Sequence, residues 1–170
     1  MSIVDKVAVV TGGASGIGEG CVRKLWSLGY IVEILDRQSE QATRLVDELN
    51  LSSNLVKFRY VDVADSHHVE ERAQEIWNEY QRLDVLVTSA GILESSANIL
   101  DMDLDAHDRV WQVNYHGTVH CARSFGRLMR TARCGSIVTV GSTTSFAAFP
   151  LPAYCPGKTA IRRFTEILAV

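Results

Sequence analysis

The chain has 170 residues, of which 46% are hydrophobic and 22% charged, with a formal net charge of −3. That balance suits one globular domain with a real core, residues 1–170, and excludes disordered, collagenous and low-complexity classes. The acidic excess speaks against a general nucleic-acid binder, and without an apolar run of about 18 residues no transmembrane helix is expected.

Residues 1–10 carry Asp5 and Lys6 ahead of a short apolar run and read as the first strand, not as a signal peptide. Residues 6–10 are almost continuously apolar, as a strand buried on both faces should be. A helix is predicted over 16–28, with Ile17, Cys21, Leu25 and Leu28 at helical spacing and Gly29 to stop it. Residues 30–35 form the second strand, and 39–49 the second helix with Ser39 as its N-cap. A third strand follows over 55–61, an amphipathic helix over 66–80 and a fourth strand over 84–87. Residues 104–129 read as one long helix, 135–140 as a fifth strand and 152–170 as a last helix inside which the chain stops. This alternation predicts an α/β fold, a doubly wound parallel sheet with helices on both faces.

Cys21, Cys121, Cys134 and Cys155 are far apart and form no CxxC pair. A disulfide scaffold and a zinc knuckle are therefore not expected, and a reducing, cytoplasmic setting fits. His67 and His68 open a charged helix without a ligand partner at metal spacing, so no metal is assigned and a solvated face is expected. Arg123, Arg127, Arg130 and Arg133 read as a solvated or subunit-facing stripe.

The first strand runs into Thr11-Gly12-Gly13-Ala14-Ser15-Gly16-Ile17-Gly18, between a strand and a helix. Glycines there let a backbone approach a pyrophosphate, and the helix N-terminus offers free N–H groups to the anion. A ligand-free tight turn is the plainer alternative, and no Gly-Lys-Ser/Thr ending supports a P-loop. Asp36, ending the second predicted strand, stands where a carboxylate accepts hydrogen bonds from an adenosine ribose. It would repel a 2′-phosphate, which favours NAD over NADP. Arg37 is the one nearby cation, free to stack on adenine or meet a phosphate.

Taken in order, these residues resemble the short-chain dehydrogenase/reductase family over essentially the whole chain. Gly12, Ser15, Gly16, Ile17 and Gly18 stand in that family's glycine turn, and Asp62 and Val63 at its adenine contact. Thr88-Ser89-Ala90-Gly91 occupies the place of the usual Asn-Asn-Ala-Gly, so Ala90 and Gly91 join the cofactor-binding set. Asn114 matches the family's helix asparagine, Ser142 its active-site serine, and Tyr154-x-x-x-Lys158 its catalytic pair.

The resemblance implies a Rossmann-like fold and hydride transfer between a small-molecule secondary alcohol or carbonyl and NAD, with NADP possible. Tyr154 and Lys158 lie one helical turn apart on one face. A phenol with its ordinary pKa of about 10 is a poor base at neutral pH, and a nearby ammonium lowers that value. Tyr154 is then the general acid/base, Lys158 also holds the nicotinamide ribose, Ser142 polarises the substrate oxygen and Asn114 holds a water leading from Lys158 to solvent. Homo-oligomers are usual in the family.

Four departures stand out. Ser89 is too short to brace the central strands as asparagine does. Pro156 lies between Tyr154 and Lys158, harmless only in a first helical turn. The segment between Ser142 and Tyr154 is shorter by one residue than usual, which should shift the serine. The family's last strands and substrate loop have no counterpart here, so a C-terminally truncated chain is expected, and a non-catalytic dinucleotide-binding or interaction fragment is the alternative to an enzyme. Residues 93–103 and 143–152 are expected to line one side of the pocket; they do not name a substrate.

Overall fold

A computed structural model describes residues 6–94 and 98–170. The approach to the first strand over 1–5 and the part of the expected pocket wall over 95–97 lie outside the described residues. Five parallel strands form one sheet: β1 (Val7–Thr11), β2 (Ile31–Asp36), β3 (Val56–Tyr60), β4 (Val85–Thr88) and β5 (Ser136–Thr139). Their order is β3-β2-β1-β4-β5, so the winding reverses at β1, between β2 and β4. A reversal of this kind opens a crevice beyond the C-terminal strand ends.

The apolar run of β1 is central because its side chains feed two cores at once. Val7 and Val9 join Val69, Ala73, Ile76, Cys121 and Phe125 on one face. Val10 joins Val22, Ala42, Leu45 and Leu49 on the other. The second face is covered by α1 (Gly16–Ser27) and α2 (Ser39–Asn50), the first by α3 (Ser66–Tyr80) and α5 (Gly117–Ala132). The helices α4 (Leu104–Trp111) and α6 (Tyr154–Leu168) pack on each other, and Thr165 of α6 shares a hydrogen bond of 2.7 Å with Thr139 of β5. None of the described helices is long and apolar enough to cross a membrane.

Four local expectations change. Ser39 is the first residue of α2, not its N-cap; Gln38 holds that place and no side chain caps the helix. The long helix of 104–129 is interrupted by a π turn over Gln112–His116 and runs on to Ala132. One residue inserted per π turn shifts the apolar phase slightly, which periodicity cannot register. The last helix begins at Tyr154 rather than 152. His67 and His68 donate their backbone N–H groups to Asp65, which caps α3. Arg133 lies past α5, in a left-handed cap, so only the first three arginines of the predicted stripe are helical.

A carboxylate is buried in the sheet. Glu33 of β2 is 0% exposed. It accepts two hydrogen bonds from Arg59 at 2.8 and 3.2 Å and one from the Tyr80 hydroxyl at 2.7 Å. Burial pushes the Tyr80 phenol up, and the Glu33 carboxylate beside it adds to that. The network crosses from β3 through β2 to α3 and ties the sheet to its covering helix.

The β1–α1 turn leaves no room for a side chain at two of its glycines. A Cβ on Gly12, which has φ +64, would lie 2.7 Å from the backbone of Ala90. One on Gly18 would lie 2.0 Å from the Gly12 carbonyl oxygen. Gly16 differs: its φ is +55, yet a Cβ there would meet nothing within 4 Å.

Two consequences are measurable by urea unfolding. Arg59→Met leaves Glu33 charged and buried, and is expected to cost about 3–5 kcal/mol; Arg44→Ala, which breaks the exposed pair with Glu40, should cost under about 0.5 kcal/mol. Gly18→Ala is expected to cost about 3 kcal/mol or more, whereas Gly16→Ala carries only the backbone penalty of about 1–2 kcal/mol.

Candidate active site

A cleft of about 700 Å³ opens at the C-terminal ends of β1, β2 and β4. It gathers Gly12, Ser15, Gly16, Ile17, Asp36, Arg37, Asp62, Val63, Ala90, Gly91, Tyr154 and Lys158 from five separate stretches of chain. Its floor is the glycine turn. Ser15 precedes α1 in extended conformation and its side chain makes no capping bond, so the first-turn amides are not covered by it.

Asp36 closes one end. One carboxylate oxygen accepts the Ala14 N–H at 2.9 Å; the other accepts those of Arg37 at 2.7 Å and Gln38 at 3.0 Å. Three amides from two loops thus fix its orientation. The turn role and the ribose role of Asp36 do not exclude each other, since Oδ2 accepts only the Ala14 N–H and keeps a second lone pair. Asp62 sits beside it, bridging Arg37 at 3.4 Å and Arg109 at 3.2 Å through a single oxygen. Burial pushes the Asp62 carboxyl up, but the Ala64 N–H and the two guanidiniums outweigh it and hold it below the usual carboxylate range. Arg109 was not singled out in the sequence; its partner is brought to it only by tertiary packing.

Tyr154 and Lys158 close the other end. Because α6 starts at Tyr154, Pro156 falls in the first turn, where its missing N–H is not needed. The Gly157 N–H still reaches the Ala153 carbonyl at 3.0 Å. Lys158 is only 5% exposed. Its Nζ donates to the Val140 carbonyl at 2.7 Å and stands 5.6 Å from the centre of the Tyr154 ring. Burial pushes the Lys158 ammonium below its ordinary value.

Asn114 and Ser142 flank the cleft without lining it. Asn114, 1% exposed, lies in the π turn. Its Oδ1 accepts the Ile92 N–H at 2.8 Å and its Nδ2 donates to the Ile92 carbonyl at 2.9 Å. The side chain expected to hold a water is thus engaged as a brace for the loop after β4. Its backbone carbonyl accepts the Thr118 hydroxyl at 2.7 Å. Ser142 lies just past β5, and its Oγ accepts from the Thr144 N–H at 3.2 Å and the Thr144 hydroxyl at 2.9 Å.

The walls differ from expectation. Leu93 lines the cleft, but no residue of 143–152 does. At the Ser89 departure, the Ser89 N–H reaches the Thr11 carbonyl at 3.2 Å and the Ala90 N–H the Thr11 hydroxyl at 3.2 Å, which bind β4 to β1 without the asparagine. The adjacent Thr88 hydroxyl is buried without a hydrogen-bond partner. Glu94 is a residue the sequence did not mark: its Oε1 accepts the Ala153 N–H at 2.7 Å and the Tyr154 N–H at 3.0 Å. Nothing in the local sequence signals a cap supplied from so far along the chain. Among the described residues, no group of His, Cys, Asp or Glu is arranged to hold a metal ion.

Comparisons with known proteins agree with this geometry. The profile of the short chain dehydrogenase family matches residues 6–170. Short-chain dehydrogenase reductase 4 of Arabidopsis thaliana is 38% identical over 147 residues, 84% of this chain and 47% of that protein. The NAD-dependent glycerol dehydrogenase of Listeria innocua is 34% identical over 172 residues, covering 99% of this chain and 65% of that one. The solved structure of ElxO with NADP bound superposes with a TM-score of 0.86 at 30% identity, over 92% of this chain and 64% of that one. The chain therefore spans about half to two thirds of the length of these relatives. With its sheet order, its glycine turn and a profile match across nearly every residue, the chain belongs to the short chain dehydrogenase family.

Proposed function

We propose that this chain binds NAD and interconverts a secondary alcohol and a carbonyl, with Tyr154 as general acid/base. The observation that carries the reading is the buried Lys158 ammonium, held beneath the Tyr154 ring at one end of a cleft whose other end is closed by the oriented Asp36 carboxylate. The glycine turn fits a dinucleotide: Gly12 and Gly18 are close-packed, while the space above Gly16 is open for an anion near the first turn of α1.

Gly12, Ser15, Gly16, Ile17 and Gly18 would hold the pyrophosphate, Asp36 the adenosine ribose, and Asp62 and Val63 the adenine. The nicotinamide, when bound, accepts or supplies the hydride. Tyr154 takes the hydroxyl proton of the alcohol as the carbon–hydrogen bond breaks, and returns one to the carbonyl oxygen in reverse. Lys158 lowers the cost of the phenolate in that step. Ser142 has both acceptor positions occupied by Thr144, which leaves its own O–H to donate to the substrate oxygen.

NAD is favoured over NADP on two grounds. The three amides that orient Asp36 keep its charge where a 2′-phosphate would sit. Arg37, the cation best placed to meet that phosphate, is paired with Asp62. The Listeria relative is named NAD-dependent and the ElxO structure holds NADP, so both cofactors occur among similar proteins. A second reading, a dinucleotide-binding chain without turnover, draws support from the Asn114 side chain, both of whose polar atoms are taken up by Ile92.

Calorimetric titration with NADH and NADPH tests the binding half. NADH is expected to bind more tightly by about tenfold or more, and Asp36→Ala should narrow or reverse the ratio. A folded chain that binds neither nucleotide overturns the reading. Tyr154→Phe should leave NADH affinity within about twofold while turnover on a panel of secondary alcohols falls by about a hundredfold or more. Binding without turnover by the unmodified chain would select the second reading.

A further inference from the structure

The first turn of α6 lacks the local means to hold itself. Ala153 stands at its N-cap with no side-chain bond, and the turn contains no acidic residue. Glu94 supplies both the hydrogen-bond acceptor and the negative charge from the loop after β4. A carboxylate at a helix N-terminus is favourable on both counts. One of the two amides it accepts belongs to Tyr154 itself. Two residues earlier, Ile92 is gripped in both directions by Asn114. The short stretch Ile92-Leu93-Glu94 therefore straps the π turn to the start of α6, across the mouth of β4.

The arrangement leaves one carboxylate oxygen unrewarded. Glu94 Oε2 is buried with no hydrogen-bond partner. Such an atom is unfavourable, and its persistence calls for an explanation other than optimal packing. The two bonds that Oε1 accepts from the amides of Ala153 and Tyr154 provide one, since they fix the turn from which the phenol projects.

We propose that Glu94 is a positioning residue for Tyr154, setting the place of the phenol relative to Lys158 through the backbone of the first turn of α6. The proposal rests on the reading of Tyr154 as the proton-transferring group, but its geometry can be tested without turnover. The chain contains five tyrosines. Uniform labelling with 3-fluorotyrosine gives each a fluorine resonance, and Tyr154→Phe identifies that of Tyr154 by its loss. Tyr115, whose ring packs edge-on against Phe164 farther along α6 at 6.3 Å, reports displacement of the whole helix.

Glu94→Ala is expected to shift and broaden the Tyr154 resonance while that of Tyr115 stays in place. Glu94→Gln, which keeps the acceptor oxygen, should restore a near-native Tyr154 signal. Should Glu94→Ala fail to fold, Glu94→Asp carries the test: it keeps the charge but falls one methylene short, and should move the Tyr154 signal in the same direction by less. An unchanged Tyr154 resonance in Glu94→Ala or Glu94→Asp overturns the proposal. So does a joint shift of Tyr154 and Tyr115, which would make Glu94 a support for the helix as a whole. NADH titration of the same samples keeps the outcomes separate: intact binding with a displaced Tyr154 supports positioning, and absent binding in the unmodified chain counts against the dinucleotide reading alone.

Discussion

The carbonyl oxygen of Gly12 lies where a side chain at position 18 would have to stand. This exclusion governs the rest of the site. With glycine there, α1 packs down onto the end of β1, and Ser15, Gly16 and Ile17 at its start line the cleft. The same turn lies against the backbone of Ala90, which fixes the height of the loop after β4. That loop is held in turn by Asn114 from the π turn and reaches Tyr154 through Glu94. The glycine turn and the tyrosine helix are thus linked through one packed sequence of contacts, although they stand at opposite ends of the chain.

The fold was largely legible because its signals are local and periodic. The β1 run is apolar from Val7 to Val10 because both faces are buried, and the helices show the spacing of an apolar stripe. Glycine positions and the order of motifs placed most of the cleft-lining residues. What escaped was long-range or non-periodic. A π turn alters phase without altering composition, so 104–129 read as one helix. Ser39 resembles a cap, but Asp36, by accepting the Arg37 and Gln38 amides, already turns the chain into α2. Glu94 and Arg109 act across the tertiary structure, and no spacing rule in one sequence connects them to Tyr154 or Asp62.

The carboxylates of the molecule divide into two kinds. Glu33, remote from the cleft, is fully buried and answered by Arg59 and Tyr80, which makes it part of the scaffold. Asp36 and Asp62 face the cleft and are oriented by amides and guanidiniums while keeping lone pairs to offer. The second arrangement suits recognition of hydroxyl and amine donors, because the geometry is set before a ligand arrives and little ordering cost remains at binding.

Lys158 stands under the opposite conditions. It is buried like Glu33, yet among the described residues no carboxylate answers it; the Val140 carbonyl takes one of its three N–H groups. Burial without a counter-charge lowers its pKa, because the charged form loses solvation that one carbonyl does not replace. Any group that brings acceptors to the remaining N–H bonds raises that value again, and by linkage the ammonium favours such a group in equal measure. A ribose hydroxyl pair and a developing phenolate are both acceptors of that kind. On the proposed function, the same ammonium therefore has a physical reason to bind the one and to stabilise the other.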